Sequence, residues 1–291
     1  MSNQQINSLN QFPSPKVDYV FKWIFGNKHN VSILIGFLKA VLEISVAEYE
    51  VIYFDDPHLK QEHTEGKLSI LDVRVTTKNG QEINIEMQVQ YHKHMVERIT
   101  FYNARLLASQ LHEGDHYSNL KKSISILISD ENIIKASPDY HHIFHLCDIE
   151  KGIKLTDLFE IHTLELKKMP QQSDQTEKYN WIRFFNAITK EEFELVASQN
   201  EQIRKAYDEL KRLSRDKKAM AEYERQLKAI RDYHAGMDGA REDGFAEGLR
   251  EGMVQKELEI AKELLKRGLS AKEIVEITKL SQAEVMKIQN E

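Results

Sequence analysis

A chain of 291 residues with 41% hydrophobic and 30% charged side chains is long enough for one full-sized domain plus an appendage. A net charge of −6 argues against a protein that coats nucleic acid, and the single cysteine, Cys147, excludes an internal disulfide and points to a reducing, cytoplasmic setting. The first 16 residues carry no apolar core of a signal peptide, and the longest apolar stretch, Val31 to Val41, is broken by Lys39, so no membrane association is expected.

Residues 1–15 read as a disordered lead-in closed by Pro13 and Pro15. From Asp18 the apolar residues Val20, Phe21, Ile24 and Phe25 recur at helical spacing, and Gly26-Asn27 supplies a stop. A second helix is predicted from Asn30 to Leu42, burying Ile33, Leu34, Phe37, Leu38 and Val41. The period then changes. Glu48 to Phe54 reads as a strand, and Leu68 to Thr77 alternates, with Asp72 and Arg74 opposite Leu71, Val73 and Val75. Lys78-Asn79-Gly80 is a turn signal, and Gln81 to Val89 alternates again, with Asn84, Glu86 and Gln88 opposite Ile83, Ile85 and Met87. The product is a β-hairpin with one apolar and one polar face.

A helix from about Lys93 to Leu111 follows, then strands at Lys122 to Ser129, His141 to Cys147 and His162 to Lys167. Residues 16–170 thus read as an α/β or α+β domain with a mixed sheet. Beyond the polar break at 171–176 the chain is helical. Residues 171–235, led by Trp181, Phe184 and Phe185, are expected to pack on the core, and Arg204 to Arg231 carries ten basic against five acidic side chains. Any grip on phosphate is local, and this stretch is its first candidate.

Residues 236–291 form the last segment. Small residues fall every fourth position at Gly236, Ala240, Gly244, Gly248 and Gly252. Four glycines cost a lone helix about 3–4 kcal/mol relative to alanine. Either a partner helix offsets that cost, which makes a homo-oligomer through the C-terminal helices, or the stretch is a floppy helix or linker. Two capping boxes, Ser270 with Glu273 and Ser281 with Glu284, mark two short helices resembling a helix-turn-helix. Such a pair serves DNA reading or plain packing.

The polar face of the hairpin is where chemistry concentrates. Hydrolysis of a phosphodiester needs a divalent cation to bind the phosphate, activate water and steady the leaving oxygen, and hard cations take carboxylate and carbonyl oxygens. Asp72, Glu86 and Gln88 supply those groups on two stiff strands. The register decides whether they meet: a three-residue loop puts Asp72 level with Glu86, whereas a two-residue Asn-Gly turn sets Asp72 against Met87. Polar residues that merely face water are the alternative. His141, His142, His145 and Cys147 share one predicted strand, but alternation splits them between faces and no second ligand group is nearby, and no phosphate loop, nucleophile elbow or zincin helix is present.

The run Asp18 to Gly26, Leu71-Asp-Val-Arg-Val75 and Ile85-Glu-Met-Gln-Val89 resembles the Rpn family of recombination-promoting nucleases, also described as PD-(D/E)XK nuclease family transposases. Arg98-x-x-x-Tyr102-x-Ala104-Arg105, Gln110-Leu-x-x-Gly114, Glu165-Leu-x-Lys168, the Trp181 helix and the glycine-spaced tail match as well. The resemblance implies a restriction-endonuclease-like core and a DNA endonuclease using Mg²⁺ (or Mn²⁺), linked to recombination or mobile elements. It implies that Asp72 and Glu86 are the metal ligands and that Gln88 stands where the superfamily has lysine. Glutamine positions water but brings no positive charge. Lys22, Arg98 or Arg105 is then expected to supply it, and Asp18 to be an extra acidic ligand or only a helix cap. Without that charge, the alternative is a weak or silent nuclease fold that binds DNA or a protein partner.

Overall fold

The computed structural model describes residues 12–43, 52–54, 58–59, 69–70, 72–89 and 93–289. They divide into two compact units, Met1–Lys228 and Ala229–Glu291. Among the described residues, no helix is long and apolar enough to cross a membrane.

The first unit opens with helices α1 (Asp18–Phe25) and α2 (Val31–Leu42), both where the apolar spacing predicts them. Residues 12–15, read from sequence as part of a lead-in, are packed instead. Pro13 and Pro15 are buried, and Phe12 meets Phe193 and Tyr207 edge-on at 6.0 and 5.4 Å between ring centres. Residues 1–11 lie outside the described residues.

The strands are β1 (Ile52–Phe54), β2 (His58–Leu59), β3 (Ser69–Ile70), β4 (Val73–Thr77), β5 (Glu82–Gln88), β6 (Ser123–Ser129), β7 (His141–His145), β8 (Cys147–Asp148), β9 (Ile153–Lys154) and β10 (Phe159–Glu165). Six of them build one mixed sheet in the order β1-β4-β5-β6-β10-β7. β5, β6 and β10 run parallel at its centre, and antiparallel strands flank them on both sides. Helix α3 (Met95–Ala108) makes the crossover from β5 to β6.

Three predicted strands change extent, and a fourth lies partly outside the described residues. Of Glu48 to Phe54, only Ile52–Phe54 is described, as a strand. Leu68 to Thr77 is not continuous, because the chain bends at Asp72 between β3, which pairs with β2, and β4. The strand from His141 stops at His145, and Cys147 belongs to a separate small hairpin with β9. β10 begins at Phe159, three residues before the predicted start, and ends at Glu165 in a 3₁₀ turn.

The hairpin itself corrects the reading of a face open to water. Ile83, Ile85 and Met87 are buried, but so are Asn84 and Glu86 on the opposite face. Helix α3 covers that second face: its Met95 and Ile99 pack with Leu127 and Ile161, and its Asn103 bonds to Ser123 and Ser125. An alternating strand looks half-exposed in sequence whatever lies above it, so only the long-range packing reveals the cover.

Helices α4 (Glu177–Asn186), α5 (Lys190–Ala197) and α6 (Glu201–Arg215) follow, each N-capped by a side chain: Thr176, Thr189 and Asn200. Their aromatic residues continue the core of α1 and α2. Trp181 lies 5.7 Å from both Phe25 and Phe37 between ring centres, and Phe185 lies 5.8 Å from Phe25.

The stretch from Arg204 to Arg231, read as part of a helical region, is broken at Asp216. Its carboxylate accepts from the backbone of Lys218 and Ala219 and so starts a new helix, α7 (Lys217–Lys266). The glycine-spaced stretch lies inside this 50-residue helix rather than in a linker.

In the second unit α7 ends at Gly268, whose φ of +85° suits a residue without a Cβ. Bonds from Gly268 to Leu265 and from Leu269 to Leu264 close the turn. Helices α8 (Ala271–Thr278) and α9 (Gln282–Gln289) carry the expected capping interactions from Ser270 and Ser281. Ala261, Ile274, Leu280 and Val285 form their small core.

Candidate active site

The turn sets the site. Thr77 donates to Gln81 and Gly80 donates to Thr77, both at 2.9 Å, with Gly80 at φ +79°. This is the odd-length loop, and Val73 consequently pairs with Ile85. Continuing the register by one residue brings Asp72 level with Glu86.

Asp72 sits at the bend just ahead of β4, and its Oδ2 accepts the Met87 backbone N–H at 2.9 Å. A side chain thus takes the place of a ladder carbonyl and fastens the aspartate to β5. Its other oxygen lies 3.2 Å from Lys22 Nζ, which is also 2.9 Å from Asp18 one helical turn earlier on α1. Val17, not Asp18, is the N-cap of α1, so Asp18 serves the ion cluster rather than the helix end.

Glu86, only 3% exposed, receives Arg98 Nη2 at 3.2 Å and Asn84 Nδ2 at 3.4 Å. Arg98 Nη1 reaches Gln88 Oε1 at 3.4 Å, and Nε donates to the Tyr102 hydroxyl at 3.1 Å. These contacts link Asp18, Lys22 and Asp72 on one side, and Glu86, Gln88 and Arg98 on the other. Arg105, two turns beyond Arg98 on α3, is placed with its guanidinium 5.8 Å from the centre of the Phe101 ring.

The two halves share one electrostatic field. Burial first, and the Asp18 charge second, push the Asp72 carboxyl up to about 6, against the pull of Lys22 and the Met87 N–H. Burial and the Asp72 charge push Glu86 up to about 8, against Arg98, Asn84 and Lys22. Burial works to lower the Lys22 ammonium, yet the Asp72 and Asp18 carboxylates outweigh it and raise its pKa. Negative charge is thus in excess of what the surrounding cations neutralise.

Two members of the site were not singled out from sequence. Asn84 is fully buried beside Glu86, and its Oδ1 has no hydrogen-bond partner. Tyr102 enters the sequence reading only within the Arg98-x-x-x-Tyr102 motif, although its spacing of four from Arg98 already places both on one helical face.

The histidines form a separate cluster. His141 Nε2 meets His162 Nδ1 at 2.9 Å, and His162 Nε2 meets Glu160 at 2.8 Å. Strand alternation sends His142 the other way, to 3.6 Å from Glu165. Among the described residues, no group of three or more His, Cys, Asp or Glu side chains is arranged to hold a metal ion unaided.

A family profile described as PD-(D/E)XK nuclease family transposase matches residues 15–240. No curated protein and no solved structure matches the chain at a significant level. With most of its length matched, the chain belongs to the PD-(D/E)XK nuclease family transposases.

Proposed function

From that membership we propose that the protein is a metal-dependent DNA endonuclease in which Asp72 and Glu86 hold Mg²⁺ or Mn²⁺. The observation that carries this reading is a pair of carboxylates, Glu86 buried on β5 and Asp72 partly buried at the bend just ahead of β4, under-neutralised and brought level by the hairpin register. Burying unpaired negative charge is costly, and a divalent cation relieves that cost.

The donor set suits a hard ion. Magnesium commonly takes one or two carboxylates and fills its remaining positions with water and phosphate oxygens, so two carboxylates and the Gln88 amide oxygen suffice. When bound, the ion supplies Lewis-acid polarisation of the phosphate and a lowered pKa for the attacking water. The chain's own residues do the rest. The Met87 N–H fixes one Asp72 oxygen and leaves the other toward Lys22. Gln88 accepts or donates one hydrogen bond to place a water, and it cannot act as the base. The basic residues between Arg204 and Arg231 contribute phosphate contacts, which makes binding salt-dependent.

Supercoiled plasmid incubated with and without Mg²⁺ tests the reading. Metal-dependent nicking that disappears in Asp72→Ala is the expected outcome, and undiminished nicking by that variant removes the proposal. A second reading, a silent nuclease fold kept for binding, is favoured by Gln88 and by the cations already seated on both carboxylates. DNA binding with no nicking under either metal selects it.

The reading includes self-association. On α7, Phe245, Leu249 and Met253 are exposed at four-residue spacing, each next to Gly244, Gly248 or Gly252, where an added Cβ meets nothing within 4 Å. Ridge and groove of this kind fit a second copy. Light scattering on the full chain and on one lacking residues 236–291 checks it, with a smaller assembly expected after truncation.

A further inference from the structure

We propose that Arg98, held in place by Tyr102, supplies the positive charge that glutamine at position 88 leaves missing, by donating to a phosphate oxygen of the scissile bond. The inference rests on the nuclease reading above and names which side chain completes that site.

Geometry separates Arg98 from the other cations. Lys22 is shared between two carboxylates, Asp18 and Asp72, and is already committed on that side. Arg98 instead spans Glu86 and Gln88, with Nη2 on the carboxylate and Nη1 on the amide oxygen. Its guanidinium therefore lies one hydrogen bond from the strand position where a lysine would project. A charge delivered from α3 occupies the same neighbourhood as one delivered from β5.

The guanidinium also has donors to spare. Of five N–H groups, one goes to Tyr102, one to Gln88 and one to Glu86. Two remain, and the Arg98 side chain is 39% exposed, whereas Glu86 below it is closed off. An anion arriving from solvent meets the arginine first. Planar, forked donors suit a phosphate better than a point charge does.

Tyr102 acts as a positioning residue. It is buried, its hydroxyl accepts from Nε at 3.1 Å, and its ring lies 5.2 Å from the guanidinium carbon. These two contacts from one helical turn away fix the only part of Arg98 not already facing the site.

Plasmid nicking by the full-length protein in Mg²⁺, together with Mn²⁺ binding by calorimetry, tests the assignment. Arg98→Ala is expected to lose about 100-fold or more in nicking rate. It keeps its Mn²⁺ affinity, since Glu86 loses a competitor rather than a support, and millimolar guanidinium in the buffer restores part of the rate. Arg98→Lys retains more activity than Arg98→Ala. Tyr102→Phe, which lacks a single oxygen, is expected to lose roughly tenfold in kcat with KM for DNA unchanged. It keeps the proposal testable should Arg98→Ala misfold. Wild-type nicking that survives in Arg98→Ala, or a loss matched by lost Mn²⁺ affinity and not rescued by guanidinium, overturns the role of Arg98 while leaving the nuclease reading intact. Absence of nicking in the wild type overturns both.

Discussion

Glu86 and Glu160 are both buried on the same six-stranded sheet, one on β5 and one on β10, yet their surroundings push them in opposite directions. Glu160 also suffers from burial, but His162 at 2.8 Å and Lys122 at 2.7 Å outweigh it and draw its carboxyl down to about 2. Glu86 has one arginine at 3.2 Å and an amide, with a second carboxylate close by, and is pushed up to about 8. The first carboxylate is complete within the fold. The second is short of positive charge. Under the function proposed above, the pair separates a carboxylate that holds structure from one that awaits a cation.

The sharpest way to break the comparison is by activity. Asp72→Ala and Glu86→Gln are expected to lower plasmid nicking by about a thousandfold or more, the scale of several kcal/mol of metal-assisted stabilisation. Glu160→Gln should stay within a few-fold of wild type. If Glu160→Gln proved as inactive as Glu86→Gln at equal folded fraction, the distinction would fail.

Stability should show the reverse order. Glu160→Gln strands Lys122 and His162 and is expected to cost about 3 kcal/mol in urea unfolding. Asp72→Ala loses the hydrogen bond to Met87 and the ion pair to Lys22 but also removes a like charge from Glu86, and should cost less than Glu160→Gln does.

The pH dependence should differ in sign. A carboxyl raised on folding binds its proton longer in the native state, so Glu86 weakens the metal-free fold progressively as pH climbs from its ordinary 4.5 to about 8. Over that range the Tm of the wild type should fall relative to that of Glu86→Gln. Glu160, lowered to about 2, contributes stability that is present above 4.5 and lost as pH falls toward 2. Wild type and Glu160→Gln should therefore converge in acid. Parallel Tm curves for wild type and Glu86→Gln between about pH 4.5 and 8 would show that the cluster is already neutralised.

Much of the site's frame is readable from local residues. Gly80 at the end of a three-residue loop sets the register, and that alone aligns Asp72 with Glu86. The helix caps at Thr176, Ser270 and Ser281 are local as well, because a cap needs only its own next three residues. What escapes the sequence is what comes from afar. Nothing near Glu86 says that α3 covers it, nor that a carboxylate would bend the chain at Asp72 to take a backbone N–H from the neighbouring strand. His141 and His162 meet only because β7 and β10 pair, 21 residues apart. Asp216 illustrates a different miss: the helical reading runs straight through it, while its side chain caps a new helix.

Calorimetric titration of Mn²⁺ into the full-length protein near pH 7, repeated in buffers of different ionisation enthalpy, addresses the central claim most directly. The account predicts binding accompanied by release of roughly one proton, because Glu86 must give up the proton it holds at that pH, and predicts that Glu86→Gln loses both the affinity and the proton. Equal binding by wild type and Glu86→Gln, with no proton released by either, would contradict it.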